Sequence, residues 1–213
     1  MSPAKLFLPL LFAATAAYSA AWPLQPNQRG LVERNGHGGF DVWLPQADMV
    51  AVIAEGAMEL RGPMVAPEWS SRFTFTGVGR KGRSGLPWEP CEVSCTEAGL
   101  RWAGNGVDIE YLLEADGLRQ NFHIAERPPG AGPLELALAL NSPFCPKIDA
   151  NGDLDLVRSN GQVAHTYHGL TVWDACGSPL HAWMKTSPDG GQVACLQFRV
   201  RAQFRHGGKI EHL

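Results

Sequence analysis

Apolar and polar residues alternate along most of this chain, the period of a strand with one buried face. In "FTFTGV", Phe73 and Phe75 fall on one side and Thr74 and Thr76 on the other. "GVDIEYLL" turns Val107, Ile109, Tyr111 and Leu113 inward and leaves Asp108 and Glu110 outside. "LRQNFHI" carries the pattern on through Phe122 and Ile124, and "LELALAL" aligns Leu134, Leu136, Leu138 and Leu140 on one face. "LQFRVRAQF" sets Leu196, Phe198, Val200, Ala202 and Phe204 against Gln197, Arg199, Arg201 and Gln203.

Turn chemistry separates these runs: "AEG" at 54–56, "EADG" at 114–117, "SNG" at 159–161 and "PDGG" at 188–191. Asn-Gly and Asp-Gly accept positive φ at little cost and fit tight hairpin reversals. "PLELALAL" has helical propensity, but its strict alternation after "RPPGAG" predicts a strand. The expected fold is therefore all-β, antiparallel sheets packed as a sandwich. It occupies residues 20–204 as one domain, with an irregular insert at 77–99, "GVGRKGRSGLPWEPCEVSCTEAG", and a frayed tail or linker at 205–213. No repeat of 20–50 residues recurs, so the chain by itself is not a propeller or solenoid.

The N-terminus breaks the alternation. Lys5 precedes the apolar run "LFLPLLFAATAAY", and "AYSAA" follows, with Ala17 and Ser19 at the small-residue positions of a cleavage site. The run is short for a bilayer span and carries Pro9, so residues 1–19 read as a secretory signal. That predicts an exported protein in the periplasm or at the cell surface, without an integral membrane segment once the signal is removed. Export changes how the cysteines read. Cys91, Cys95, Cys145, Cys176 and Cys195 become disulfide candidates, an odd set in which Cys91 and Cys95 flank "EVS" and would close a small loop.

Composition narrows the picture further. The 213 residues are 45% hydrophobic and 18% charged, a globular balance, and the net charge of −3 gives no general attraction to nucleic acid. "GVGRKG" at 77–82 matches a dinucleotide-binding fingerprint in letters only, because "RSGLPWEP" cannot open the helix that the phosphates need. Its Arg80, Lys81 and Arg83 read as a solvated basic loop, or as contacts to an acidic glycan.

"HTYHG" places His165 and His168 on opposite faces of a strand, so they do not share a metal; His181 and Asp174 stand nearby in sequence. Asp108, Glu110, Asp153 and Asp155 are the carboxylates from which a glycoside-hydrolysing pair would be drawn. Seven tryptophans, at 22, 43, 69, 88, 102, 173 and 183, offer rings for stacking on sugars wherever they reach the surface. "IDANGDLDL" at 148–156 begins like a calcium loop, with Asp149, Asn151 and Asp153 at ligand spacing. Leu154 stands where the loop needs Gly and Asn160 where it needs an acid, so a hairpin turn is expected. No cofactor, metal or catalytic residue is assigned.

The order of elements from "GVDIEYLLEADGLRQNFHIAERPPGAGPLELALAL" through "IDANGDLDLV" to "GQVAHTYHGLTVW" resembles an uncharacterised N-terminal β-domain of secreted bacterial proteins. Gly106, Val107 and Asp108 open a strand, Pro129, Gly130 and Ala131 form a loop, Asp149, Gly152 and Asp153 form a turn, and Gly161, Val163 and Tyr167 lead into the last segment. "NQRGLVERNGHGGFDVWL" extends the likeness upstream. In that family the domain precedes β-propeller-type (SBBP) repeats, often in chains with type IX secretion or gliding-motility sorting domains. The repeats are missing from this chain, and the five cysteines and "PWEPCEVSC" depart from the pattern. The resemblance implies a surface or secreted module with no catalytic residues to carry over, and a C-terminal repeat domain as an absent companion. The expected function is a non-enzymatic exported β-domain for surface interaction, display or binding of polysaccharide or cell-envelope components. The alternatives are a polysaccharide-acting enzyme using surface carboxylates and a structural spacer.

Overall fold

The computed structural model describes residues 6–13, 32–80, 88–96, 99–114, 117–126, 128–188, 193–201, 204–206 and 209–211. Strands dominate it, and the single helical element among the described residues is a 3-10 turn at Pro45–Ala47. The strands are β1 (Leu6–Ala13), β2 (Val32–Arg34), β3 (Phe40–Leu44), β4 (Met49–Ala54), β5 (Ala57–Gly62) and β6 (Trp69–Arg80). Next come β7 (Pro90–Thr96), β8 (Gly99–Gly104), β9 (Val107–Glu114), β10 (Gly117–Ile124) and β11 (Leu134–Asn141). The remainder are β12 (Cys145–Ile148), β13 (Leu154–Val157), β14 (Val163–His168), β15 (His181–Pro188), β16 (Val193–Arg201), β17 (Phe204–His206) and β18 (Lys209–Glu211).

Two eight-stranded sheets result, both antiparallel and neither closed into a barrel. The first runs β12-β13-β14-β1-β10-β9-β8-β7 and the second β15-β16-β11-β6-β5-β4-β3-β2. The chain lays down a meander in the second sheet, crosses to build β7–β10 in the first, and returns with β11 beside β6. The predicted all-β, sandwich-like architecture is what forms. Inner faces meet in one core, where Phe73 stacks on Tyr167 at 5.8 Å and Phe75 meets Phe122 at 5.4 Å across the sheets. Most of the inward positions read from alternation are buried, from Val107, Ile109 and Tyr111 to Leu134, Leu136, Leu138 and Leu140, while Leu113 near the end of β9 is half-buried. For "LQFRVRAQF" only backbone is described: Val193–Arg201 forms β16, Phe204 opens β17, and Ala202 and Gln203 lie outside the described residues.

The turns fall where the sequence placed them. Glu55 and Gly56 close β4 to β5 with φ of 37° and 75°, the doubly positive geometry that suits the twist of a hairpin. Arg158–Gln162 closes β13 to β14. "EADG" and "PDGG" link β9–β10 and β15–β16, although Ala115, Asp116 and residues 189–191 lie outside the described residues.

Two stretches of the expected domain outline are described in part. Within 77–99, read above as an irregular insert, most of the described residues are strand: Gly77–Arg80 finishes β6 and Pro90–Thr96 forms β7, while residues 81–87, 97 and 98 lie outside the described residues. Gly77 marks a bulge, where the β6–β11 register shifts between Ala137 and Leu138. Pro90 opens an edge strand, where a missing N–H is tolerated. At the other end, Phe204–His206 and Lys209–Glu211 pair with each other, and residues 207–208 and 212–213 lie outside the described residues.

Trp88 pegs one end of the sandwich. Its indole N–H donates to the Val107 carbonyl at 2.7 Å, and its ring meets Phe75 edge-on at 5.8 Å. A Cβ added to Gly56 would stand 2.4 Å from that ring, and one added to Gly104 would stand 2.1 Å from it. Only glycine at both positions leaves room for the indole.

Candidate functional site

Three places gather polar or aromatic side chains: the outer face of β8–β10, the inner face where β10 and β14 approach, and the outer face of β15. On the first, Asp108 accepts from the Arg101 guanidinium and from the Gly104 amide. Glu110 accepts from Asn121 at 2.7 Å and lies 3.4 Å from His123 Nε2. These carboxylates are neighbours along one strand of an open face, each already held by cross-strand partners. Asp155 accepts from Thr166 at 2.7 Å, and Asp153 accepts from the Gly169 amide at 3.3 Å. The four candidate carboxylates are thus spread over two parts of the first sheet; Asp108, Glu110 and Asp155 accept between strands, and Asp153 accepts between the residues flanking β13 and β14.

The inner face holds a polar ladder that the sequence reading missed. Tyr167 donates to Gln120 Oε1 at 2.8 Å, and Gln120 Nε2 donates to the Tyr111 hydroxyl at 2.9 Å. All three side chains are buried, and burial pushes both tyrosine hydroxyls above their ordinary range. The signal was present: Gln120 occupies the same parity as Leu118, Phe122 and Ile124, so alternation alone sends it into the core.

Next to the ladder, His165 is 3% exposed, with its ring 4.2 Å from Trp69 and 5.4 Å from Phe144. Neither ring nitrogen has a hydrogen-bond partner among the described residues. Burial, reinforced by the Arg158 charge, lowers its pKa to about 4. Arg158 itself lies over the Phe144 ring at 5.1 Å. His168 faces the other way and His181 is exposed on β15, so the histidines do not converge. Asp174 accepts from the Cys176 and Ser178 amides at 2.9 Å each and caps its own turn. Among the described residues, no group of three or more His, Cys, Asp or Glu is placed to hold a metal ion.

"IDANGDLDL" forms the β12–β13 hairpin, whose last pair is Ile148 with Leu154. Asp149 Oδ1 accepts from the Asn151 and Asp153 amides at 2.8 Å each, and Gly152 takes φ 87°. The carboxylate therefore folds back on its own backbone. The same device recurs at Asn35–Gly39 and Asp174–Ser178, where a side-chain oxygen accepts from the amides two and four residues on.

The basic loop reading fails for Arg80. This residue is 4% exposed and donates to the Pro128 carbonyl at 3.3 Å and to the Gly132 carbonyl, stapling the "PPGAG" loop to the end of β6. Its role is structural, because it serves carbonyls of a loop that lies outside the strands. Lys81 and Arg83 lie outside the described residues.

The small loop closed by Cys91 and Cys95 also fails. Both residues stand in β7, an extended strand, where four residues span about 13 Å. A disulfide bridges Cα atoms no more than about 7 Å apart. Cys145 and Cys176 are exposed and free, and the Cys195 side chain lies outside the described residues.

Of the tryptophans, Trp102 is buried and Trp43, Trp69, Trp88, Trp173 and Trp183 are half-buried; Trp22 lies outside the described residues. Trp183 occupies the outer face of β15 between exposed His181 and half-buried Lys185, while Met184 points into the core. Its ring lies 5.4 Å from that of His181. β15 is the edge strand of the second sheet. Among the described residues, no helix is long and apolar enough to cross a membrane. Comparison with family models, with curated proteins and with solved structures finds no match for this chain.

Proposed function

We propose that the chain is an exported, non-enzymatic β-domain that binds polysaccharide or another cell-envelope component at the bacterial surface. One observation carries the ligand class: Trp183 is flanked by His181 and Lys185 on the outer face of an edge strand. A half-exposed indole stacks on a sugar ring, and adjoining cationic or hydrogen-bonding groups select acidic or phosphorylated saccharides. The carboxylates that would serve hydrolysis are each engaged as hydrogen-bond acceptors within the fold, which favours binding over turnover. The leader-like residues 1–19 and the resemblance to the secreted SBBP-associated β-domain support export and display.

Co-sedimentation of the full chain with peptidoglycan, lipopolysaccharide and acidic polysaccharides tests this. Binding that falls at least ten-fold in Trp183→Ala, with the fold intact, is the expected result. Absence of binding to every envelope fraction removes the proposal, and release of new reducing ends replaces it with the hydrolase.

A further inference from the structure

The order of the first sheet contains an oddity. Between β14 and β10 sits β1, Leu6–Ala13, the apolar run of the leader. It pairs antiparallel with β10 from Leu6–Ile124 to Ala13–Gly117, and with β14 from Leu11–His168 to Ala13–Thr166. β10 and β14 are therefore parallel to each other and stand about 10 Å apart, two strand spacings. Without an intervening strand, both would turn unpaired N–H and C=O groups toward each other.

The seam does not depend on its occupant alone. The Tyr167–Gln120 hydrogen bond spans it on the core side, from β14 to β10, and Tyr111 anchors Gln120 from β9. That clasp holds the two rims at the spacing of one missing strand. The core-side residues of both rims, Leu118, Phe122 and Ile124 on β10 and His165 and Tyr167 on β14, are buried.

The present occupant fits imperfectly. Pro9 pairs with Asn121 in mid-strand and has no N–H to give to either neighbour. β14 uses only Thr166–His168 against it.

We propose that this seam is a strand-acceptor site: Leu6–Ala13 holds it as a placeholder in the precursor, and after cleavage it takes an uncharged apolar strand from a partner protein. The inference rests on the leader reading above. The partner strand runs antiparallel to both rims, so that backbone pairing supplies affinity and alternate side chains supply selectivity. Among the described residues, β2–β18 are each already paired within this chain, so none of them is left over to refill the seam. The occupant's chemistry follows from the seated segment, eight residues of Leu, Phe, Pro and Ala without a charge.

The test uses the full chain with a specific protease site placed within residues 20–31, before and after cutting. The probe is the synthetic peptide LFLPLLFA with a lysine tail and a fluorophore. The uncut chain should exclude the probe, and the cut chain should bind it at least ten-fold better. Bound probe should slow amide exchange at least ten-fold in both Gly117–Ile124 and Val163–His168. A probe with valine in place of its proline should bind several-fold more tightly.

Rapid exchange of β10 and β14 in the uncut chain overturns the proposal, as does probe binding that leaves those strands unprotected. Precipitation of the cut chain that the probe prevents supports it, and precipitation regardless of probe counts against it. N-terminal sequencing of exported protein supplies a separate arm. A start near residue 20 supports the change of occupant, and retention of Leu6–Ala13 overturns it. Neither arm reads polysaccharide binding, so failure of the proposed ligand is distinguishable.

Discussion

The two sheets face each other across one core but are held in different ways. The second presents an almost wholly apolar inner surface, Leu134 to Leu140 on β11 beside Phe73 and Phe75 on β6. Among the described residues its buried polar groups are Ser71, 2.8 Å from Ser142, and Arg80 at the end of β6. The first sheet puts Gln120, Tyr111, Tyr167 and His165 into the same core. Hydrophobic burial is non-directional and tolerates substitutions of similar size, whereas a buried hydrogen-bond ladder specifies partners and leaves costly orphans when broken. The sheet that joins non-consecutive strands around Leu6–Ala13 is the one built with directional contacts.

Four perturbations sharpen that contrast, in falling order of size. Leu138→Ala in the second sheet should cost about 2–5 kcal/mol in denaturant unfolding, whereas Leu138→Met should cost less than about 1.5 kcal/mol. In the first sheet the conservative swap should not be gentle. Gln120→Met keeps the volume but strands two buried tyrosine hydroxyls, and we expect a loss of about 2–4 kcal/mol. Adding Tyr111→Phe and Tyr167→Phe should restore much of it; if Gln120→Met alone is silent, the first sheet is held by packing like the second.

Acid should also act through the first sheet. The unfolded chain protonates His165 near pH 6.5, but the folded site resists until about pH 4. Stability is therefore whole above pH 6.5 and falls as pH drops through that window, by up to roughly 3 kcal/mol. The measurement is the unfolding midpoint against pH in wild type and His165→Phe, whose profile should lose this slope. The smallest effect belongs to the hairpin tips: Asp149→Ala removes two backbone-amide acceptor contacts at an exposed turn and should cost about 1 kcal/mol. Titration of calcium into wild type should give no micromolar heat that the substitution abolishes.

Alternation made the strands legible because each has one buried face, and the hairpins were legible because Gly56, Gly152 and Gly161 supply backbone angles that other residues avoid. The stretch 77–99 shows where such logic ends. Glycine and proline also mark bulges and edge strands, and only the neighbouring strand reveals which use is made. The Tyr111–Gln120–Tyr167 ladder joins three strands, so its pairing is long-range even though the inward parity of Gln120 could be read. Arg80 looked solvated for the same reason, because the carbonyls it serves belong to a loop that follows β10.

The Trp88 peg bears on how the sandwich assembles. Its socket has one wall from the β4–β5 hairpin and another from the β8–β9 turn, so the indole cannot dock until both have formed and the sheets have met. Docking is consequently a late step, governed by contacts distant in sequence. It gives the molecule a built-in clock: a Trp88 emission change should trail the appearance of β-structure during refolding, and Gly104→Ala should stop that clock while the early strands still form.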